Sequence, residues 1–341
     1  MKIIEILPEL DIGGVERHVI DLSNELAERG HEVLVISAGG KMQSQLSPKV
    51  EHRLLSVHKK NPFLVYKHAL KIASWVKNEG WQIIHAHSRV PAWIANKVSS
   101  FAHIPYLVTA HVDFGNKSPW IYRPYREAST VICVSSAVRE GMKSCFYENT
   151  QVVLNGLNTP LFKWSRPKEP PVKFLFVGRL SPVKGLQDAF NAMPKDENWT
   201  IDVLGDGPMR EELEKLAQSL GISDKVTFHG YSDETDKFMA NSSCLLFPSY
   251  IEGMPLTLAR AIQIGTPVIA SDIEPVKEIS GGHTKGLLVP GDIPSWNKAI
   301  SDFISLGKAE ASFSPEFVPT LKTMVDSDEA IYRKILDEAK C

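Results

Sequence analysis

"MKIIEILPELDIGGVERHVIDLSNELAERGHEVLVIS", residues 1–37, holds one complete strand–helix–strand unit. The run KIIEIL is a short, Ile-rich strand. Val15, Val19, Leu22 and Leu26 then recur at steps of four, three and four, which sets them along one face of a helix. Gly30 closes that helix, and EVLVIS is the next strand. Apolar strands separated by helices of this kind imply parallel βαβ units.

The same alternation continues through QIIHAHS, PYLVTAHV, TVICVS and TQVVLN. Around Thr159–Pro171 the texture changes. TPLFKWSRPKEPP is proline-rich, charged and aperiodic, and reads as a linker. Beyond it, VKFLFVG, WTIDVLG, KVTFHG, SCLLFPS, PVIAS and GLLVP restart the strand pattern, and DEAIYRKILDEAK is a final amphipathic helix. The pattern predicts an α/β chain with two doubly wound parallel-sheet domains, 1–164 and 165–320, facing across a cleft, followed by a helical segment, 321–341. In such sheets ligands bind beyond the carboxyl ends of the strands.

Bulk composition fits this reading. A chain of 341 residues with 43 % apolar and 23 % charged residues is an ordinary globular sequence of about two domains. A formal net charge of −2 gives no general attraction for nucleic acid. Cys133, Cys145, Cys244 and Cys341 have no metal-ligand or redox spacing, which suits a reducing cytoplasm. No stretch approaches the roughly 18 to 20 apolar residues that span a bilayer. The expected location is therefore cytoplasmic, with any membrane contact peripheral.

Five strand ends hold candidate chemistry. In PELDIGGVERHV, Gly13 and Gly14 stand between the first strand and its helix. They either let backbone N–H groups approach an anion or form a tight turn with positive φ. The G-x-G-x-x-G pattern is missing there, which disfavours a nicotinamide-dependent oxidoreductase. In VTAHVDFG, His111 and Asp113 lie just past a strand, as do His85 and His87 one strand earlier. Each is a structural hydrogen-bonder or a site residue. A metal site from these histidines lacks a carboxylate or Cys partner at ligand-like spacing. In FVGRLSPVKGL, Arg179 and Lys184 are two cations at one strand end, suited to a diphosphate. In VLGDGPMREEL, Gly205 and Gly207 make a partial glycine loop. In IEGMPLTLARA, Pro255 suits the first position of a helix, leaving the N–H groups of Leu256 and Thr257 for a phosphate. Glu252, just ahead, can accept hydrogen bonds from paired sugar hydroxyls.

Taken together, DIGGVERHV, GRLSPVKGL, LGDGPMREELEKLAQSLGISDKVTFHGY and PSYIEGMPLTLARAIQIGTPVIAS resemble, in order and spacing, family four of the retaining GT-B glycosyltransferases. The resemblance spans nearly the whole chain. It implies two Rossmann-like domains, an N-terminal one for the acceptor and a C-terminal one for the nucleotide sugar, with the last helix packing back on the first domain. It implies that Gly13 and Gly14 lie against the donor phosphates and His111 beside the reacting sugar. Arg179 and Lys184 would bind the diphosphate and Glu252 the sugar hydroxyls. His229, Gly230 and Tyr231 would border the base through backbone, near Gly205, and Met254, Pro255, Leu256 and Thr257 would border the donor. Arg17, His87, Asp113, Lys117 and Arg123 are candidates for the acceptor side. No cofactor and no metal are expected; a nucleotide-diphosphate sugar, UDP-linked on the resemblance, is the co-substrate.

One position departs from the family. Where the pattern has a second Glu, which accepts from ribose, this chain has Arg260. Arginine has no acceptor, and facing a diphosphate it would add a third cation. The expected activity is retaining sugar transfer to a glycan or lipid-linked acceptor of cell-envelope polysaccharide, lipopolysaccharide or glycolipid. The alternative is a sugar-nucleotide-binding protein with weak or no transferase activity.

Lys41–Lys77 forms a basic segment. Lys41, Lys49, Arg53, Lys59, Lys60, Lys67, Lys71 and Lys77 face only Glu51, with Phe63, Leu64, Trp75 and Val76 interspersed. It reads as a solvated helix face or as a contact for an anionic membrane surface.

Overall fold

The computed structural model of the chain describes residues 1–112, 115, 119–146, 149–167, 169–195 and 197–339. They form two compact units, Met1–Gly156 with Pro319–Cys341, and Leu157–Val318.

The first unit runs β1 (Lys2–Ile6), α1 (Gly14–Glu28), β2 (Glu32–Ser37), β3 (Glu51–Leu54), α2 (Pro62–Glu79), β4 (Ile83–His87), α3 (Arg89–Ala102), β5 (Tyr106–Ala110), α4 (Arg123–Arg126), β6 (Thr130–Cys133), α5 (Ser136–Gly141), α6 (Lys143–Phe146) and β7 (Thr150–Val152). The second runs β8 (Val172–Val177), α7 (Leu186–Ala192), β9 (Trp199–Leu204), α8 (Arg210–Leu220), β10 (Val226–Gly230), α9 (Thr235–Asn241), β11 (Cys244–Phe247), α10 (Leu256–Ile264), β12 (Val268–Ala270), α11 (Glu274–Ile279) and α12 (Ile293–Leu306). The chain then returns to the first unit as α13 (Leu321–Glu338).

Both sheets are parallel. The first has seven strands in the order β3-β2-β1-β4-β5-β6-β7, the second five in the order β10-β9-β8-β11-β12. The strand order reverses between β1 and β4 in one and between β8 and β11 in the other. These switch points are where open α/β sheets open a crevice for a ligand.

Three of the four residues of the predicted helix face of α1 are core, and Val15 is half-buried. Val19, Leu22 and Leu26 are fully buried together with Leu321, Met324, Val325, Ile331, Tyr332 and Ile335 of α13. Each such side chain stabilises the unit by roughly 1.5–3 kcal/mol, which is what fastens α13 to this unit. A reciprocal cap starts that helix, with Thr320 and Thr323 each accepting from the other's backbone N–H. Helix α2 has the matching local logic: the Asn61 side chain accepts from Phe63 N–H at 2.9 Å, Pro62 opens the helix, and Gly80 ends it at φ 76°.

Three expectations are corrected. The units divide after Gly156 and again before Pro319 rather than at 164 and 320. Residues just before the proline run are fixed to the second unit, because Trp164 N–H donates to Ile264 C=O and its indole N–H to Ser242 C=O, both at 2.8 Å. GLLVP forms no strand; only Leu288 bridges Ser271, between Gly286 and Gly291 at positive φ. Conversely, β3 arises within the basic segment, an edge strand without an apolar run.

Candidate active site

The carboxyl ends of β8 and β11 flank the switch point of the second sheet, and two expected ligand groups meet there. Lys184 Nζ donates to Glu252 Oε1 at 2.6 Å. The Glu252 side chain is 9 % exposed and Lys184 27 %, so the carboxylate is nearly withdrawn from water while the ammonium reaches it. Arg179 is exposed on the same loop as Lys184 and has no ion pair among the described residues. An exposed guanidinium on the same loop as a partly neutralised ammonium leaves positive charge for an anionic group.

The loops behind this pair are interlocked. Tyr250 N–H donates to Val183 C=O at 2.8 Å, and the Tyr250 hydroxyl bonds Asp188, which raises the phenol pKa. Gly185 sits at φ +70°, and a Cβ there would lie 2.0 Å from the Pro248 carbonyl oxygen. Only glycine satisfies both conditions. Tyr250, Asp188 and Gly185 are therefore site-supporting residues that sequence reasoning missed; the KG pair before a helix was the available signal for the last.

The GDG turn is a packing device rather than a dinucleotide loop. A Cβ at Gly205 would lie 2.0 Å from the Gly178 oxygen, and one at Gly207 2.3 Å from the Leu180 oxygen. Gly205 N–H donates to Gly230 C=O at 2.7 Å, which joins the ends of β9 and β10. On that rim His229 Nε2 lies 2.6 Å from Asp202 Oδ1, and the Tyr231 hydroxyl donates to Asp233 at 2.6 Å. Tyr231 keeps 46 % of its surface exposed, an open aromatic face at the strand end.

Helix α10 begins one residue later than expected. Pro255 is its cap, and Leu256 N–H already donates to Met254 C=O at 2.9 Å. Thr257 N–H takes no acceptor among the described residues, so it alone of the expected pair is available. Met254 is buried beneath the turn. Arg260 is not a third cation facing an anion. Its Nη1 donates to Asn158 C=O at 2.6 Å and to Gln263 Oε1 at 3.1 Å, and its Nε lies 3.3 Å from Asp236 Oδ1. It ties the start of the linker to α9 and α10.

In the first unit, Gly13 has φ −179°, ordinary extended backbone, so the positive-φ reading is set aside. A Cβ there would lie 2.3 Å from Glu16 Oε2. Glu16 thus folds over the first turn of α1, where Gly14 is the first helical residue, and burial with Asp11 and Glu9 nearby raises its pKa. Of the acceptor-side candidates, Arg17 pairs with Asp21 and donates to Gln45, and Arg123 pairs with Glu127 on α4. His87 is fully buried and so cannot touch an acceptor; a strand end inside a fully covered sheet hides its last side chain. Asp113 and Lys117 lie outside the described residues.

His87 instead belongs to a buried polar cluster across the β1/β4 switch point. His87 Nε2 is 2.7 Å from Glu5 Oε2, and its Nδ1 is 3.1 Å from His111 Nε2. Tyr332 donates to Glu5 Oε1 at 3.1 Å and lies 2.7 Å from His85 Nδ1, whose Nε2 is 2.6 Å from Thr109 Oγ1. Burial pushes the Glu5 carboxyl up, but His85 and His87 outweigh it and hold it well below the usual range. Burial and His85 hold His87 down to about 4, and burial with the neighbouring histidines depresses His18 and His111 as well. Ring nitrogens of His18, His87 and His111 lie within 4.8 Å of one another, as do ligand atoms of Glu5, His85 and His87. A metal ion could be spanned by either set, although the hydrogen bonds just described already occupy most of these atoms.

A cavity of about 220 Å3, lined by Trp164, Arg166, Pro171, Ser243 and Phe303, opens at the opposite, amino ends of β8 and β11. None of the expected site residues lines it.

Sequence models of two families match the chain: Glycosyltransferase Family 4 over residues 12–160, and Glycosyl transferases group 1 over 159–316. The chain belongs to glycosyltransferase family 4. Curated relatives of this glycosyltransferase include a lipopolysaccharide 1,6-galactosyltransferase of Salmonella typhimurium, 25 % identical over 74 % of this chain and 73 % of that protein. An alpha-1,4-N-acetyl-D-galactosaminyltransferase of Campylobacter jejuni, named for an undecaprenol-PP-linked acceptor, is 29 % identical over 86 % of this chain and 85 % of its own. Among solved structures, the Anabaena HepE complex with UDP-glucose superposes with a TM-score of 0.82 at 20 % identity, covering 98 % of this chain and 100 % of that one. That likeness confirms the two-sheet GT-B fold. No helix among the described residues is long and apolar enough to cross a membrane.

Proposed function

We propose that this glycosyltransferase moves a sugar, with retention, from a UDP-sugar to a glycan or lipid-linked acceptor of a cell-envelope polysaccharide, lipopolysaccharide or glycolipid. The observation that carries the reading is the Lys184–Glu252 pair at the β8/β11 switch point, with Arg179 exposed on the same loop as Lys184 and without an ion pair among the described residues. Cleaving a sugar–phosphate bond leaves negative charge on the diphosphate and positive character on the sugar. Arg179 and Lys184 stabilise the first, and Thr257 N–H adds a donor at the start of α10. Glu252 accepts from sugar hydroxyls, and His111 contacts the sugar. No metal is required when two cations take the departing charge. The acceptor attacks on the face the phosphate leaves, so configuration is kept. The relatives that act on lipopolysaccharide and on an undecaprenol-PP-linked glycan support the acceptor class, and the complex of HepE with UDP-glucose supports the donor class.

The chain works in the cytoplasm, held to anionic membrane by α2. Phe63, Tyr66 and Leu70 are 73 %, 51 % and 48 % exposed, beside exposed Lys59, Lys60, Lys67 and Lys71. The rest of the basic segment is less free than its sequence suggests. Arg53 pairs with Glu51 and Glu79, Lys49 with Glu28, and Val76 and His68 are buried.

A panel of nucleotide sugars, with and without EDTA and with the product's anomeric configuration read by NMR, tests the reading. Lys184→Ala should lose on the order of 100-fold in kcat, and Arg179→Ala at least as much. Inversion, or full activity in both variants, would overturn it. The second reading is a binding protein with weak transfer. Arg260 favours it, since its guanidinium offers ribose no acceptor and is committed to Asp236 and Asn158. Donor binding without turnover would select it.

A further inference from the structure

Glu5, His87 and His111 form a buried chain of hydrogen bonds from β1, through the end of β4, to the residue after β5. Its proton positions follow from acceptor chemistry once the His87 ring is neutral. An ionised carboxylate only accepts, and Glu5 Oε2 lies 2.7 Å from His87 Nε2, so that nitrogen bears the proton. The neutral ring then has a bare Nδ1. His111 Nε2, 3.1 Å away, must donate to it, which leaves His111 Nδ1 bare. The remaining partners fit the same assignment. Tyr332 donates to Glu5 Oε1, the phenol oxygen accepts from His85 Nδ1, and Thr109 donates to His85 Nε2.

Burial and the neighbouring imidazoles favour the neutral form of His87 and His111. Glu5, His85 and His87 have no exposed surface, and His18 and His111 are 6 % and 8 % exposed. His18 and His111 rings sit 5.0 Å apart, and His87 and His111 5.4 Å, so a proton added to one meets imidazole neighbours and little water. Asp328, also buried, is the other carboxylate near this group.

We infer that Glu5 and His87 are positioning residues that lock His111 as its Nε2–H tautomer, so that its Nδ1 faces substrate only as a hydrogen-bond acceptor. Resting on the proposed function, this makes His111 a receiver for a sugar hydroxyl rather than a donor to a sugar oxygen or phosphate. A derivative whose hydroxyl is replaced by a group that cannot donate is selected against, because the bare nitrogen is left unpaired.

The test reads the tautomer directly. In protein labelled with 15N-histidine, two-bond 1H–15N spectra at neutral pH, with His111 assigned from a His111→Asn variant, should show an unprotonated Nδ1 and protonated Nε2. Glu5→Leu removes the anion and His87→Phe removes the intermediary while keeping ring volume. Either should give His111 a protonated-Nδ1 population and lower kcat about tenfold or more, the equivalent of one misdirected hydrogen bond, with donor KM little changed. A wild-type His111 that is Nδ1-protonated or doubly protonated would overturn the inference without any variant. So would an unchanged His111 tautomer in both variants. A chain that turns over no sugar nucleotide would defeat the functional reading, yet the tautomer measurement would still stand on its own.

Discussion

Replacing Arg260 by the family's glutamate should damage this protein rather than repair it. The Arg260 Nε lies 3.3 Å from Asp236 Oδ1, with the side chains 17 % and 31 % exposed. At that separation a unit charge pair is worth between about 1 kcal/mol at the dielectric of water and about 5 kcal/mol at an effective value of 20. Partial exposure favours the lower half of that range. Arg260→Glu cancels the attraction, places a like charge in its stead, and removes the charged hydrogen bond to Asn158 C=O at 2.6 Å. The expected loss is roughly 2–4 kcal/mol, which shifts unfolding of a unit this size down by about 4–16 °C. Thermal unfolding of Arg260→Glu, Asp236→Asn and the double variant forms a cycle. Added to the Arg260→Glu variant, Asp236→Asn should cost little, or even restore stability, although it costs stability beside arginine. Unchanged midpoints in all three would refute the clamp, and a stable Arg260→Glu with tighter donor binding would show that the position faces ribose after all.

Asp328 gives a pH dependence of defined sign. Burial raises its carboxyl from an ordinary value near 3.8 to about 7, so the folded form holds its proton where the unfolded one has lost it. The stability present below the unfolded value is lost progressively as pH rises towards 7, up to about 4 kcal/mol. Asp328→Asn should flatten the dependence in denaturant titrations at pH 5 and 8 and be the more stable protein at pH 8; parallel profiles would count against the assignment. Gly185→Ala should cost at least about 2 kcal/mol, from left-handed backbone and contact with the Pro248 carbonyl, and lower turnover through Lys184; thermal melts with activity assays check both. Flotation with anionic vesicles should require Phe63 and Leu70 together with the α2 lysines. Equal recovery with neutral vesicles would remove the electrostatic part.

The alternation of apolar runs with helical faces made both parallel sheets legible, because burial on two faces forces apolar strands. The strand ends were legible too, since Arg179, Lys184 and Glu252 belong to turns rich in Gly and Pro. What the sequence concealed were partnerships. Nothing in local pattern pairs Glu5 with His87 across 82 positions, or Arg29 with Glu329 across 300. Tyr332 reaches Glu5 only because α13 returns to the first unit. The same limit explains Arg260: its charge was visible, but the carbonyl and carboxylate that consume that charge come from Asn158 and Asp236.

Those partnerships change how a diphosphate can be met. Arg260 and Asp236 cancel, and so, in the free protein, do Lys184 and Glu252. Arg179 is then the one uncommitted cation among the described residues of these two loops. A diphosphate that draws Lys184 to itself must leave Glu252, 9 % exposed, with another donor, since an unpaired carboxylate this far from water costs several kcal/mol. Sugar hydroxyls are donors of the right kind. A nucleotide sugar can therefore separate the pair at little cost, satisfying Lys184 with phosphate and Glu252 with hydroxyls, whereas a bare nucleoside diphosphate satisfies only one of the two. On the proposed function, the ion pair would thus discriminate sugar-bearing donor from spent nucleotide, holding the first and favouring release of the second.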